Sequence, residues 1–330
     1  MQVERSLMSI RTPLCDLLGI EYPIMLAGMG GVSYAQVTAA VSNAGGFGTL
    51  GMAGLALPEI EAQIKKTKDL TDKPFGLDLL AALPETLART VDMMIDYQLD
   101  AFISGLGVPF NIKDKLQNAG VKVMNVCGKV EHAVKGAQAG LDAVIVQGTE
   151  GGGHTGKVAG MALLPQAAAA VDIPVIGAGS IVDGRGLAAA LAFGCQGVWV
   201  GTRFIASSEA HAAKMYKDKV VCARDEDTVI TRSYSGKTMR VRRNAYTDDW
   251  DGRPGDVQSF PQQAIAATKA GVMGGISGQL DGLDDARSCF PMGQGAGGIF
   301  AVQPCAQIIT DMVAEAETVI DRLSGLVSKA

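Results

Sequence analysis

Residues Val144 to Gly156 read VIVQGTEGGGHTG: a β-branched run, then an acid, three consecutive glycines and one titratable ring. Bare backbone after a strand lets a ligand lie against the main chain, because glycine adopts dihedrals closed to other residues and presents no side chain. An imidazole changes its charge near neutral pH, so His154 beside that backbone suits proton transfer at the edge of a bound group. Three further stretches end in the same bare way: Ala27-Gly28-Met29-Gly30-Gly31, Gly177-Ala178-Gly179-Ser180 and Gly201-Thr202. The last two follow successive apolar runs, and free backbone N–H groups in that position are suited to a phosphate. A dinucleotide fingerprint is present only in outline. Gly151, Gly153 and Gly156 match G-x-G-x-x-G, but KVAGMA stands where a helix should open, and the next strand ends in Ser180 rather than an acid. The six cysteines show no CxxC or Cys/His spacing of a metal site, so they read as buried thiols and no metal is expected.

These residues must be positioned by a regular scaffold. Eight short apolar runs read as buried parallel strands, at 23–28, 46–51, 74–80, 101–107, 122–128, 143–148, 174–180 and 197–204. Alanine-rich segments with helical spacing lie between them, several stopping at glycine. Eight alternations predict an α/β fold of the (β/α)8 TIM-barrel type, with the active site at the carboxyl ends of the strands. After the eighth strand the rhythm fails. Residues 206–290 read as a small helical insertion, a lid over the barrel mouth. The barrel itself would comprise 1–205 and 291–330, closed by the helix in PCAQIITDMVAEAETVIDRLSGL.

Composition narrows the class of partner. Of 330 residues 42 are glycine and 48% are hydrophobic, and the net charge of -5 is spread over both signs. That leaves no basic face for a nucleic-acid backbone and favours a small-molecule substrate. Charges at Glu4, Arg5, Arg11 and Asp16 interrupt any export-signal core, and no apolar run reaches the ~20 residues of a membrane span, so the reading is a cytoplasmic protein away from membranes. His132 in an amphipathic helix and His211 among surface-type residues carry no predicted role, and Arg240 to Arg243 read as a solvated basic face.

Taken in order, IMLAGMGGVS, NAGGFGTLG, VIVQGTEGGGHTG, PVIGAGSIVDGRGLAAALAFGCQGVWVGTRF and GQGAGGI resemble the nitronate monooxygenase family, also called 2-nitropropane dioxygenases. The likeness spans residues 12–204 closely and the last forty loosely. It implies an FMN-dependent barrel enzyme that oxidises alkyl nitronates, or nitroalkanes, with molecular oxygen; a homodimer is compatible with it. Ala27, Gly28 and Met29 would lie along the isoalloxazine, Gln147 would bond its polar edge, and Gly152 and Gly153 would give it room. Ala178, Gly179, Ser180, Gly201 and Thr202 would hold the phosphate, and His154 would be catalytic. Asp78 stands where relatives commonly carry asparagine; an ionised carboxylate can only accept, so its flavin contact requires a proton or a rotated side chain. The loop TEGGGHTG also resembles that of reductases acting on coenzyme A thioesters. The alternative is therefore an NAD(P)H-dependent flavin reductase acting on an enoyl or coenzyme A thioester, or on a quinone.

Overall fold

A computed structural model describes residues 10–79, 84–105, 107 and 109–327. Residues 1–9, the end of the third apolar run at Leu80, Leu106 in the fourth run and Val108 after it lie outside the described residues. The chain is a TIM barrel. Its eight strands are β1 (Ile24–Leu26), β2 (Gly48–Gly51), β3 (Phe75–Leu79), β4 (Ala101–Ser104), β5 (Lys122–Cys127), β6 (Ala143–Gln147), β8 (Val175–Ala178) and β9 (Gly197–Val200). They pair in parallel in the order β1-β9-β8-β6-β5-β4-β3-β2. The ring closes where the Leu26 amide donates to the Phe47 carbonyl and the Phe47 amide to that of Ile24, both at 2.9 Å. The two-residue strand β7 (Gly153–His154) belongs to a different sheet.

Strand alternation sorts the side chains into two cores even though both faces are apolar. Met25, Ala101, Ile103, Met124, Ile145, Ile176 and Trp199 point into the barrel, while Leu26, Val144, Val146, Val198 and Val200 pack outward against the helices. The amino-terminal end of the barrel is plugged by α1 (Pro13–Leu18), whose Leu14 is fully buried in that interior cluster. The outer ring consists of α2 (Ala35–Asn43), α3 (Leu57–Leu70), α4 (Pro84–Asp96), α5 (Lys113–Asn118), α6 (Val130–Gln138), α7 (Gly160–Ala170), α8 (Gly184–Ala192) and, after a long excursion, α13 (Cys305–Ser324). Helix α13 packs on α8 and α2 and so takes the eighth barrel position. A Cβ on Gly184 would lie 2.4 Å from the Met312 carbonyl oxygen, which is why α8 begins with glycine where α13 crosses it.

The excursion holds the short helix α9 (Thr202–Ile205), then α10 (Lys214–Val221), α11 (Ala245–Asp251) and α12 (Gln262–Lys269), but it is not helical throughout. Strands β10 (Thr228–Thr231) and β11 (Met239–Arg242) form an antiparallel hairpin, and β11 pairs in turn with β7. Alternation in TVIT and MRVR is too short to stand out beside the charged runs around it, which is why the hairpin is hard to read from sequence. Arg240 is likewise not part of a solvated face. It is buried, donating through Nε to the Thr149 carbonyl and through one terminal nitrogen to Thr228 Oγ1, both at 3.0 Å. Arg242 and Arg243 do reach solvent-side carboxylates, at Asp227 and Asp248.

Candidate active site

All thirteen residues singled out from the sequence border one cleft of about 310 Å³ at the carboxyl end of the barrel strands. One end is made by the turns after β8 and β9. Gly179 and Ser180 both have positive φ, 107° and 53°, so two successive residues there hold left-handed backbone. For Ser180 that conformation is costly and persists because its hydroxyl is fixed twice: it donates to the Glu150 carbonyl and accepts from the Gly295 amide, each at 2.9 Å. The amides of Gly179, Ser180 and Thr202 have no protein acceptor among the described residues. Three unpaired N–H groups facing one cleft suit an anion. Thr202 Oγ1 accepts from the Gly293 amide at 3.0 Å, so the GQGAGGI segment backs this end from behind.

The middle of the cleft is lined by Ala27, Gly28 and Met29 after β1, with Gly201 and Ala178 beside them at the ends of the neighbouring strands β9 and β8. Ser33 sets the shape of the first loop, donating to the Ala27 carbonyl at 2.7 Å and accepting from the Met29 amide at 3.1 Å. Gly28 lies against Asp78 so closely that a Cβ would sit 2.2 Å from that of the acid. The Asp78 carboxyl borders the cleft, makes no hydrogen bond among the described residues, and is pushed up to about 8 by burial. At neutral pH it holds its proton and is a donor, as an asparagine would be.

Gln147 closes β6 and spends one N–H on the His154 carbonyl, at 2.9 Å, leaving its oxygen and second N–H for the cleft. Two of the glycines between them, Gly152 and Gly153, do different things. On Gly152 a Cβ would strike the backbone of Met292 at 2.7 Å, so it is bare for packing; Gly153, at φ 73°, has open space where its side chain would be. His154 therefore arrives at the cleft on a backbone only glycine adopts easily.

Its ring is held from the insertion. His154 Nε2 is 2.9 Å from Ser235 Oγ, and that hydroxyl donates to the Lys237 carbonyl at 3.2 Å. The bond to Ser235 occupies Nε2 and leaves Nδ1 as the other ring nitrogen, with donor and acceptor across that bond set by the tautomer. Burial, and then the charge of Lys237, lower the pKa of His154. The ring is neutral at physiological pH and able to accept a proton. Ser235, Lys237 and the pairing of Met239 with His154 were not legible from sequence, since they lie 81 or more residues away across the hairpin. His211 is satisfied structurally, bonding the Gly278 carbonyl at 3.0 Å and stacking on Tyr34. Among the described residues no group of His, Cys, Asp and Glu could hold a metal, and no helix is long and apolar enough to cross a membrane.

The chain matches the nitronate monooxygenase family over residues 11–90 and 85–315. It belongs to that family. It is 40% identical over 268 residues to a (3aS,4S,5R,7aS)-5-hydroxy-7a-methyl-1-oxo-octahydro-1H-indene-4-carboxyl-CoA dehydrogenase of Rhodococcus jostii, covering 81% of this chain and 75% of that one. Among solved structures, FabK from Thermotoga maritima superposes with a TM-score of 0.88 at 35% identity, covering 97% of this chain and 100% of that chain. A nitroalkane oxidase from Streptomyces ansochromogenes gives 0.81 at 27% identity, covering 94% and 100%. This nitronate monooxygenase family member is thus an oxidoreductase, and its relatives divide over substrate.

A second cavity in the same family member, of about 630 Å³, meets the first. Gly105, Val126, Gln147 and His154 border both. His154 is therefore placed at the junction of two spaces, with the bare-backbone cleft on one side and a larger hollow under the hairpin on the other.

Proposed function

We propose that this protein is an FMN-dependent oxidoreductase acting on a substrate larger than a simple nitronate, an acyl thioester, with His154 handling the proton on the reacting carbon. The observation that carries the reading is the meeting of two cavities at His154. The chain's residues suit the flavin: the unpaired amides of Gly179, Ser180 and Thr202 would hold its phosphate, the bare backbone of 27–29 and 153 would lie along its ring, and protonated Asp78 would donate to it. When bound, FMN supplies a two-electron acceptor. His154 Nδ1 takes the proton from a carbon made acidic by an adjacent carbonyl, and the hydrogen bond to Ser235 keeps that nitrogen turned toward the substrate. The second cavity receives the rest of the thioester, and residues 206–290 serve as the lid that excludes water from the 1–205 and 291–330 barrel. Ile276, Met239 and Tyr216 of that segment already border the cleft.

Oxidation of alkyl nitronates with oxygen is the second reading, supported by the family match and the nitroalkane oxidase likeness. A small anion would occupy the first cleft alone. Anaerobic stopped-flow mixing of the FMN-loaded protein separates the two. Saturated acyl-coenzyme A thioesters are expected to bleach the flavin absorbance rapidly, or their enoyl partners to reoxidise dithionite-reduced enzyme. Fast bleaching by propionate 3-nitronate, with neither thioester reaction, would reverse the order of the two readings.

A further inference from the structure

The hollow on the far side of His154 is bordered by cations from two separate elements. The chain is net negative, yet Lys129, His132 and Lys135 along α6 and Arg232 and Lys237 from the β10–β11 turn border this one cavity, and among the described residues no carboxylate does. Residues 129, 132 and 135 fall on one side of their helix by their three-residue spacing. The two groups of cations approach from different elements, one in the barrel and one in the insertion, so the concentration of charge is not a by-product of a single basic run. Lys135 is bonded to Glu131 at 2.6 Å. Lys129, Arg232 and Lys237 form no ion pair among the described residues. Lys237 instead lies over the Phe260 ring at 4.7 Å, and Arg232 donates through Nε to the Gly236 carbonyl at 2.9 Å, leaving its terminal nitrogens directed elsewhere. Phe110 stands at the same cavity, 67% exposed. A phenyl ring that exposed, beside Arg232 and Lys237, which form no ion pair among the described residues, is an arrangement for stacking one face of an organic anion and neutralising its charge.

We infer that this cavity is a polyphosphate site, built from Lys129, Arg232 and Lys237 with Phe110 at its side, which anchors the adenosine phosphate tail of a ligand whose reactive head reaches His154. The inference rests on the proposed thioester reading for its direction, since coenzyme A carries a diphosphate and a ribose phosphate on adenosine at the far end of a flexible arm. A reduced dinucleotide phosphate presents the same adenosine phosphates, so the site is defined by the shared chemistry. Placing the anion beside the junction gives the arm a fixed origin and lets binding energy from the tail orient the head.

Binding is measured without turnover, by calorimetry on the full-length, FMN-loaded protein with adenosine 3′,5′-bisphosphate, free coenzyme A and NADPH as separate probes. The variants are Lys129→Glu and Arg232→Glu, singly and together, with the thermal midpoint and bound-flavin spectrum checked to be those of the parent. Bisphosphate and coenzyme A should bind, with Kd rising roughly tenfold or more in the double variant and affinity falling as salt is added. Binding of NADPH with the same losses, and none of coenzyme A, would keep the polyphosphate site and assign it to a dinucleotide. No binding of any probe, or affinities unmoved by both reversals, would overturn the inference. Flavin bleaching by thioesters in the unaltered protein would survive that outcome, so the two readings fail separately.

Discussion

Replacing Asp78 with asparagine should make the flavin-free protein more stable, by an amount that grows with pH. Burial raises the carboxyl from 3.8 to about 8, with no neighbouring charge among the causes. Each pH unit of displacement is worth about 1.36 kcal/mol, so holding the group ionised in the folded chain has a ceiling near ~6 kcal/mol. The carboxyl borders a cleft that water enters, which reduces the realised cost to about 1–3 kcal/mol. The sign follows from linkage. In the unfolded chain Asp78 loses its proton near pH 4, and in the folded chain near pH 8. Below both values the two states hold the same proton and nothing is lost. Between them the folded state binds a proton that the unfolded state has released, so stability declines as pH rises, and above about 8 the loss is complete. Asparagine has no proton to lose. Thermal melts of parent and Asp78→Asn at half-unit steps from pH 5 to 9 should therefore diverge, the variant gaining roughly 2–6 °C by pH 8 and the gap then levelling. A pH-independent gap, or a variant that becomes relatively less stable as pH rises, would refute the burial argument.

Other changes probe the remaining parts. His154→Ala should keep its bound flavin while losing ~10²–10⁴ in kcat with substrates that must give up a carbon-bound proton; an unchanged rate would remove His154 from the chemistry. The acidic limb of kcat/KM should lie below the ordinary histidine value of 6.5, because burial and Lys237 both lower His154, and Lys237→Met should move that limb upward. Gly152→Ala would drive a Cβ into the Met292 backbone at 2.7 Å and should weaken FMN binding, read by flavin fluorescence, by about tenfold. Leu14→Ala empties the barrel floor, where the side chain is fully buried, and should cost ~2–5 kcal/mol in a chemical melt while leaving kcat unaltered.

Much of this was legible in the residues because strand ends in a parallel barrel advertise themselves. An apolar run that breaks into glycine, as at 147–153 and 177–180, marks both the end of a strand and the place where backbone must be bare, so fold and cleft emerge from one signal. What stayed hidden depends on contacts that sequence spacing does not encode. Ser235 looks like any turn serine until the hairpin folds back to put its hydroxyl on His154. Lys129 and Arg232 are ordinary surface cations in their own segments and form a pocket only when α6 and the β10–β11 turn face each other. Arg240, read in a run of four residues with three arginines, is buried together with Met239 and Val241 because β11 is covered where it pairs with β10 and β7, and only Arg242 and Arg243 reach solvent-side carboxylates.

The antiparallel pairing of β11 with β7 makes His154 a member of two architectures at once, contributed by a barrel loop yet held in register by a strand from the insertion. Exchange of that insertion between family members is consequently not a modular operation. A graft that alters the length or twist of the hairpin also resets the height of the imidazole over the cleft and the partner of its Nε2. Substrate range and proton-transfer geometry are inherited together, and a transplanted hairpin would need a hydroxyl at the position of Ser235 before a new specificity could be paired with an intact base.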